Sequence, residues 1–524
     1  MKKSNRREFL KSAGVVAAGV SVAQVIPQLS ANENGDVAET DREATLRLPK
    51  SDVHYRETST YIEEVPDNDY VHASEAAYEQ FRDIKYSIRI IWGVYTLQKV
   101  EASWPMLNYS NEKKQEYQQL YKQFNPIDFD AEQWMTDFKR WGMQAFAFIC
   151  KHHDGFALWH TKTKVVSRAD FLKAHAGMND DMIEPCDLHY SIEETPFKRD
   201  IVKELCDAGH KHDIKIDLYF SHPDWYDADF RPYNYHPLAV PDIIEHPKNY
   251  YSVHGIDSRK KILTPNRSPE ETERMVRRHR EQIHELLTNY GNVDMMCFDQ
   301  WMGKDNWKDM KETIKLARKW SPNTMFRARG IGNYGDYYQP EQFVPKNNEQ
   351  NGMPWMSICL LAKQFSYDPN SQNYKGARWV IYNLIDCVAK GGSFMVCLGP
   401  DEKGNFHPAA VKQLKEVGDW LKVNGKGIYA TRLRNIWQAD NIKFTRSKDQ
   451  KNVYAFVEKF PEGELIVKSV TPKSGSVVRL FGYEQPLSWA SIDGGIKITI
   501  PQELQDPTKR PCEFAWGFEF ETGD

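Results

Sequence analysis

Asp299 is the residue in this chain best placed for covalent chemistry. It ends the apolar run MMCFD, residues 295–299, and is followed by Gln300 and Trp301. In a barrel of parallel strands, such a run delivers its carboxylate to the C-terminal end of the strand, where barrel active sites lie. An ionised carboxylate there could attack an electrophilic carbon, although an Asp that only caps the next helix would read the same within this stretch. Other apolar runs end similarly: Trp92 follows SIRII, His152, His153 and Asp154 follow AFAFICK, Tyr219 and His222 close IKIDLYFSH, and Arg329 follows MFRA. Any one of these His residues could be a satisfied structural group. Gathered at one end of a barrel they suit a sugar pocket, because His, Tyr, Trp and Arg offer directional hydrogen bonds to hydroxyls and flat faces to C–H surfaces.

Metal chemistry fits less well. Adjacent His152 and His153 point to opposite faces of an extended segment, unlike the paired face of HExxH, and no CxxC motif is present. No metal or other cofactor is expected.

The elements that must hold these residues alternate. Strands are predicted over 86–95, 143–150, 214–220, 295–299, 324–327 and 393–398, and amphipathic helices over 112–124, 128–142, 199–212, 275–290, 307–320, 374–390 and 408–424. Strict alternation implies a parallel sheet, and the number of units favours an α/β fold of the (β/α)8-like barrel type. Beyond about residue 433 the texture becomes short alternating runs (IKFTRS, NVYAFVEKF, ELIVKSV, SVVRLFG, GIKITI, EFAWGFEF) between turn residues, which reads as a C-terminal β-sandwich. The expected division is 70–433 for the barrel and 434–524 for the sandwich.

With 524 residues, the chain has room for two domains. Its formal net charge of -4 gives no electrostatic reason to expect nucleic acid or an anionic membrane as partner. Eight cysteines in so long a chain are not a disulfide framework, and Cys150, Cys297 and Cys397 sit in apolar runs that suit buried free thiols. At the N-terminus, Arg6 and Arg7 precede a weakly apolar stretch rich in Ala, Gly and Ser. This is the pattern of a twin-arginine export signal, expected to span 1–31 and to leave a periplasmic or secreted protein with no membrane anchor. Residues 32–69 read as a polar arm.

Several motifs in order, KHHDGFALW (151–159), DLYFS (217–221), VDMMCFDQW (293–301), RGIGNYGDYYQPEQFVP (329–345), GGSFMVCLGPDEKGNF (391–406) and WLKVNGKGIYATR (420–432), resemble glycoside hydrolase family 29, the α-L-fucosidases. The resemblance implies a retaining, exo-acting glycosidase for fucosylated glycans, with Asp299 as nucleophile. It also implies that His152 and His153 hold sugar hydroxyls, with Tyr219 and Trp301 as pocket aromatics and Arg329 as pocket cation, and Trp92 is expected beside them from its place at a strand end. Three positions depart from the family pattern: Ile91 stands where a His is usual, Ser103 where a Glu precedes the Trp, and Met356 where a Glu often serves as acid/base. A thioether cannot donate a proton, and loss of a general acid costs roughly 10²–10⁴-fold in rate. Glu349, in KNNEQNG, is the leading replacement, with Glu341 (matching a structural residue of the family) and Glu101 as further candidates. The departures also suggest a sulfated or otherwise substituted fucose. The alternatives are a sugar-binding protein with impaired catalysis and a glycosidase for a related sugar such as L-galactose.

Overall fold

The computed structural model describes residues 61–165, 187–230, 268–300, 302, 306–346 and 353–522. The expected export signal, most of the expected polar arm, Trp301 and Glu349 lie outside them.

Seven parallel strands form the first sheet: β1 (Tyr86–Ile90), β2 (Ala145–Lys151), β3 (Lys215–Ser221), β4 (Met295–Asp299), β5 (Met325–Phe326), β6 (Met356–Leu360) and β7 (Ser393–Leu398). Their order is β5-β4-β3-β2-β1-β7-β6. The gap between β5 and β6 is closed by residues 337–341, which make isolated parallel bridges from Arg327 to Tyr337, from Tyr338 to Trp355 and from Glu341 to Ile358. Pro340 has no N–H to give a ladder, which helps explain why this eighth stave is irregular. The ring is therefore barrel-like, as the alternation implied.

Helices cover the outside because their sequences bury one face and stop cleanly. The helix α1 (Glu75–Asp83) precedes β1, and α2 (Asn111–Gln118) and α3 (Ala131–Arg140) lie between β1 and β2. In α3, the Asp130 side chain accepts from Gln133 N at the N-cap. Trp134, Met135 and Phe138 are buried on one face, each apolar side chain stabilising the packing by about 2 kcal/mol, and Gly142 at φ +84° ends the turn. Next come α4 (Ile201–Lys211) before β3 and α5 (Pro269–Thr288) before β4. A reciprocal capping box between Ser268 and Glu271 starts α5. The remaining barrel helices are α6 (Trp307–Trp320), α7 (Ala377–Ala389) and α8 (Pro408–Asn424).

Three local expectations are revised. The first strand ends at Ile90, where the chain turns into a 3-10 helix over Val94–Gln98. The helix expected over 112–124 is broken, since α2 ends at Gln118 and a 3-10 turn follows over Leu120–Gln123. The run MSICL, not expected as a strand, is β6, with every residue buried.

The C-terminal module has a five-stranded antiparallel sheet, order β12-β15-β10-β9-β8, and a three-stranded one, order β11-β14-β13. Their strands are β8 (Gln438–Ala439), β9 (Ile442–Arg446), β10 (Asn452–Val457), β11 (Glu464–Lys468), β12 (Arg479–Leu480), β13 (Trp489–Ile492), β14 (Gly495–Thr499) and β15 (Trp516–Glu521). The module has its own apolar core, including Phe444, Val467, Ile496 and Phe518. It is also fastened to α8, where Trp420 donates its indole N–H to the Ala515 carbonyl at 2.7 Å.

Candidate active site

Alternation along the strands aims Asp217, Tyr219 and Ser221 of β3, and Cys297 and Asp299 of β4, to one side. Inside the barrel this side is charged as well as apolar. Buried Arg89 donates to Gln339 at 2.7 Å and to the Cys297 sulfur at 3.1 Å, and Arg327 reaches the same sulfur at 3.2 Å. These two guanidinium groups underlie the last residue of β4.

Asp299 sits where β4 ends. Gln300 after it adopts φ +64°, a left-handed backbone uncommon for a residue with a side chain, so the chain swings sharply away once the carboxylate has been presented. One carboxylate oxygen accepts from the Tyr219 hydroxyl at 2.6 Å, and the other from Arg329 at 3.0 Å and Arg327 at 3.2 Å. Burial pushes the pKa of Asp299 up, but Arg329 and Arg327 outweigh it and hold the group well below the usual carboxylate range. Asp299 is thus an anion, with geometry fixed from three sides.

His152 and His153 arrive from the end of β2. The His153 ring bonds through Nδ1 to the Ser221 hydroxyl, while its Nε2 lies 3.7 Å from Asp299 and makes no hydrogen bond. Burial lowers the His153 pKa to about 4, so the ring is neutral at ordinary pH. His152 bonds through Nδ1 to Ser103 at 2.5 Å, and its ring lies parallel to Tyr219 with centroids 6.0 Å apart. Two aromatic side chains singled out for no role in the sequence complete this wall. Trp104 meets the His153 ring edge-on at 4.6 Å, and Trp225 packs on its other side at 5.1 Å. The available signal was a Trp in each loop following a strand end.

The wall is braced from below. Trp225 N donates to the His153 carbonyl at 2.8 Å, and the neighbouring Asp224 accepts from Arg278 of α5 at 2.5 Å. Gly155 lies against Asp224, at φ +82°, where an added Cβ would come within 2.2 Å of a carboxylate oxygen. Gly155→Ala is therefore expected to cost about 1–3 kcal/mol through backbone strain alone, lowering Tm, and to raise KM by displacing His153. Unchanged Tm and KM in this variant would show that the wall does not depend on the contact.

A second carboxylate shares the cations that hold Asp299. Glu341, on the closing segment 337–341, pairs with Arg329 at 2.7 Å and lies 3.5 Å from Arg327. Its side chain keeps 34% of its surface open to solvent, whereas Asp299 keeps 8%. The two acids thus flank one guanidinium, the inner one shielded and the outer one accessible.

Residues 56–426 match the family model described as Alpha-L-fucosidase, and residues 435–521 match the Alpha-L-fucosidase C-terminal domain. The chain belongs to the α-L-fucosidase family. Among curated relatives it is 25% identical over 473 residues to the plasma alpha-L-fucosidase of Pongo abelii, spanning 83% of this chain and 88% of the relative. It is 24% identical over 470 residues to the human tissue alpha-L-fucosidase, spanning 83% and 87%. Solved structures share its fold. The alpha-L-fucosidase isoenzyme 1 of Paenibacillus thiaminolyticus superposes with a TM-score of 0.68 at 22% identity, covering 86% of this chain and 99% of the other. A family 29 alpha-L-fucosidase of Bacteroides thetaiotaomicron, described as a trapped covalent intermediate with 2-fluoro-fucosyl fluoride, gives 0.67 at 23% identity, covering 88% and 98%.

As a member of this family the protein is a glycosidase, and its departures from the pattern acquire positions. Met356 is the first residue of β6, fully buried, its sulfur accepting from the Ser87 hydroxyl at 3.4 Å. It therefore lies at the N-terminal end of the strand, away from the end that presents Asp299. A missing acid at Met356 consequently leaves the arrangement around Asp299 intact. Ser103 is buried on His152, and Ile91 is buried where β1 ends, its N–H on the Leu398 carbonyl.

Not every expected pocket residue joins the cluster. Trp92 is fully buried among Phe124, Phe129 and Trp134 and donates its N–H to the Asp401 carbonyl, so it belongs to the packing behind the barrel rim. His222 turns away to pair with His279 of α5 at 3.0 Å. Glu101 accepts from Phe365 N at 2.9 Å, tying the loop after β1 to the loop after β6. Trp301 and Glu349 fall outside the described residues.

Proposed function

We propose that this protein is a retaining, exo-acting α-L-fucosidase in which Asp299 attacks the anomeric carbon and Glu341 serves as acid/base. The observation that carries the reading is the pair of carboxylates on opposite sides of Arg329, one buried and the other partly open to solvent. In the first step Asp299 forms a glycosyl ester while a proton passes to the departing glycosidic oxygen. In the second step the same outer group takes a proton from water as that water displaces Asp299. Neutral His152 and His153 and the Tyr219 hydroxyl supply donors and acceptors for the sugar. The unpartnered His153 Nε2 is a group that a sugar hydroxyl would satisfy. The relative described as a trapped covalent intermediate agrees with a covalent route.

The decisive test is proton NMR of the first-formed sugar from an aryl α-L-fucoside. Release of the α anomer supports the reading, whereas the β anomer would mean direct displacement by water.

The pH dependence follows from the two acids. Glu341 is pushed up by burial, but Arg329 and Arg327 bring it below its ordinary 4.5. A general acid works only when protonated, so kcat/KM for a fucoside with a poor leaving group is expected to fall about tenfold per pH unit above that point. Asp299, depressed further, stays ionised through this range. Fucosyl fluoride, whose leaving group needs less protonation, should show a weaker alkaline limb. An alkaline limb that first appears above pH 7 would remove Glu341 from the role.

Ser103 is smaller and less acidic than the Glu usual in the family at its position, and Ile91 is apolar where a His is usual. We read this as room for a substituted fucosyl unit, such as a sulfate ester. Equal or faster turnover of plain fucosides, relative to sulfated oligosaccharides, would count against that refinement.

A further inference from the structure

The barrel and the C-terminal module meet at a short segment that the catalytic reading does not use. Residues 435–440 line an open cleft of about 440 Å³ formed by Asn435, Ile436, Trp437, Gln438 and Asp440. The cleft is shallow, so a ligand would lie across it rather than be enclosed. Three features set the segment apart from an ordinary loop. Ile436 leaves 46% of its surface in water beside an incompletely buried Trp437. One face of the Trp437 ring is braced by the Lys390 ammonium, 5.1 Å from its centre, and that ammonium is itself fixed by the Pro345 carbonyl at 2.8 Å and Asp386 at 2.7 Å. The Trp437 backbone is tied to β9 through Phe444 N at 2.8 Å, whereas its indole N–H makes no hydrogen bond to a described residue.

The hairpin that follows is stiff. Gln438 and Ala439 pair with Lys443 and Ile442 across a two-residue turn whose Asp440 has φ +51°. The Gln438 amide is anchored on the Asp440 carbonyl at 2.9 Å, and the Asp440 carboxylate faces Lys468 at 3.1 Å. The result is a fixed aromatic ring with a donor to spare, flanked by two amides and a carboxylate. Carbohydrate is the ligand class that such a surface fits: the ring covers sugar C–H faces, and the amides and carboxylate pair with hydroxyls.

We infer that this cleft is a second glycan-binding site that holds the polymer carrying the fucosyl units. Lys390 immediately precedes Gly391 and Gly392, where β7 begins, so the cleft lies toward the N-terminal end of the barrel strands. Asp299 lies at the opposite end, and the intervening height is roughly 20 Å for a six-residue strand. A short oligosaccharide cannot occupy both places, whereas a polysaccharide can. The inference rests on the family's action on fucosylated glycans but not on the assignment of Asp299 or Glu341.

The test compares the full-length protein with Trp437→Ala and with Asn435→Ala/Gln438→Ala, the second pair being exposed side chains whose loss leaves the core intact. Binding is read as retardation in native gels containing fucosylated xyloglucan or fucoidan, and turnover is measured on an aryl α-L-fucoside and on the same polymers. Retardation by at least one polymer, weakened at least fivefold in both variants, with polymer kcat/KM falling three- to tenfold and aryl-fucoside turnover unchanged, is the expected result. Unchanged retardation in both variants, or an equal loss on polymer and aryl substrate, would overturn the inference. A concentration-dependent dimer abolished by Trp437→Ala would overturn it as well, in favour of a contact between copies. If the aryl fucoside is not turned over yet retardation persists and depends on Trp437, the catalytic reading fails and the second site stands.

Discussion

An Asp299→Asn enzyme is expected to lose turnover of aryl α-L-fucosides by on the order of 10⁴-fold or more, the scale on which removal of a covalent nucleophile is felt. The amide keeps the shape of the side chain and an oxygen for the Tyr219 hydroxyl, which now sits 2.6 Å from the carboxylate. It has no negative charge with which to attack or to balance Arg327 and Arg329. Fucose binding should survive within a few-fold, because His152, His153 and the Trp104 ring are untouched. Isothermal titration with fucose together with single-turnover kinetics separates the two quantities. If turnover were equally slow in the parent and the variant while binding stayed equal, the protein would be a sugar-binding relative that no longer catalyses.

Glu341→Gln is expected to produce the second largest effect, and one that depends on the leaving group. Turnover of a fucosyl ether with a poor leaving group should fall roughly 10²–10⁴-fold, the contribution of general acid catalysis. Fucosyl fluoride should lose less in its first step, so a glycosyl ester should accumulate as a burst. Azide should restore rate by intercepting that ester and give fucosyl azide of retained configuration. Glu349→Gln is the matched control. If it, rather than Glu341→Gln, shows the leaving-group dependence and azide rescue, the proton donor is Glu349. A Glu341→Asp variant separates placement from charge: the carboxylate still balances Arg329, now 2.7 Å away, but is withdrawn from the pocket.

Much of the barrel was legible because the periodicity of its elements is strong. Asp299 could be read as a charged strand end because β4 is short, apolar up to that residue and buried throughout. The His pair and Arg329 were legible for the same reason, as polar residues at equivalent ends of neighbouring strands. What the sequence hid was set by tertiary contacts. Trp92 resembles a rim residue, yet three aromatic neighbours draw it into the packing. Glu341 follows Pro340 in a stretch with turn-like Gly and Tyr residues, so nothing local announces a barrel stave. Its place beside Asp299 becomes visible only through Arg329, twelve positions earlier in the chain and 2.7 Å away in space. Met356 drew attention through its place in a motif, and strand register shows that place to be the wrong end of β6.

The irregular stave bears on how such enzymes can diverge. β4 is paired on both edges, to β3 through five residue pairs and to β5 through two, and a slip of one residue would turn Asp299 out of the barrel. The segment 337–341 has no such regular ladder to preserve, only one isolated bridge on the β5 side and two on the β6 side. Insertions or deletions there can be absorbed without disturbing the seven regular strands. Under the proposed roles, the proton donor sits on a seam that tolerates a change of length, while the nucleophile is held in place by the register of the sheet.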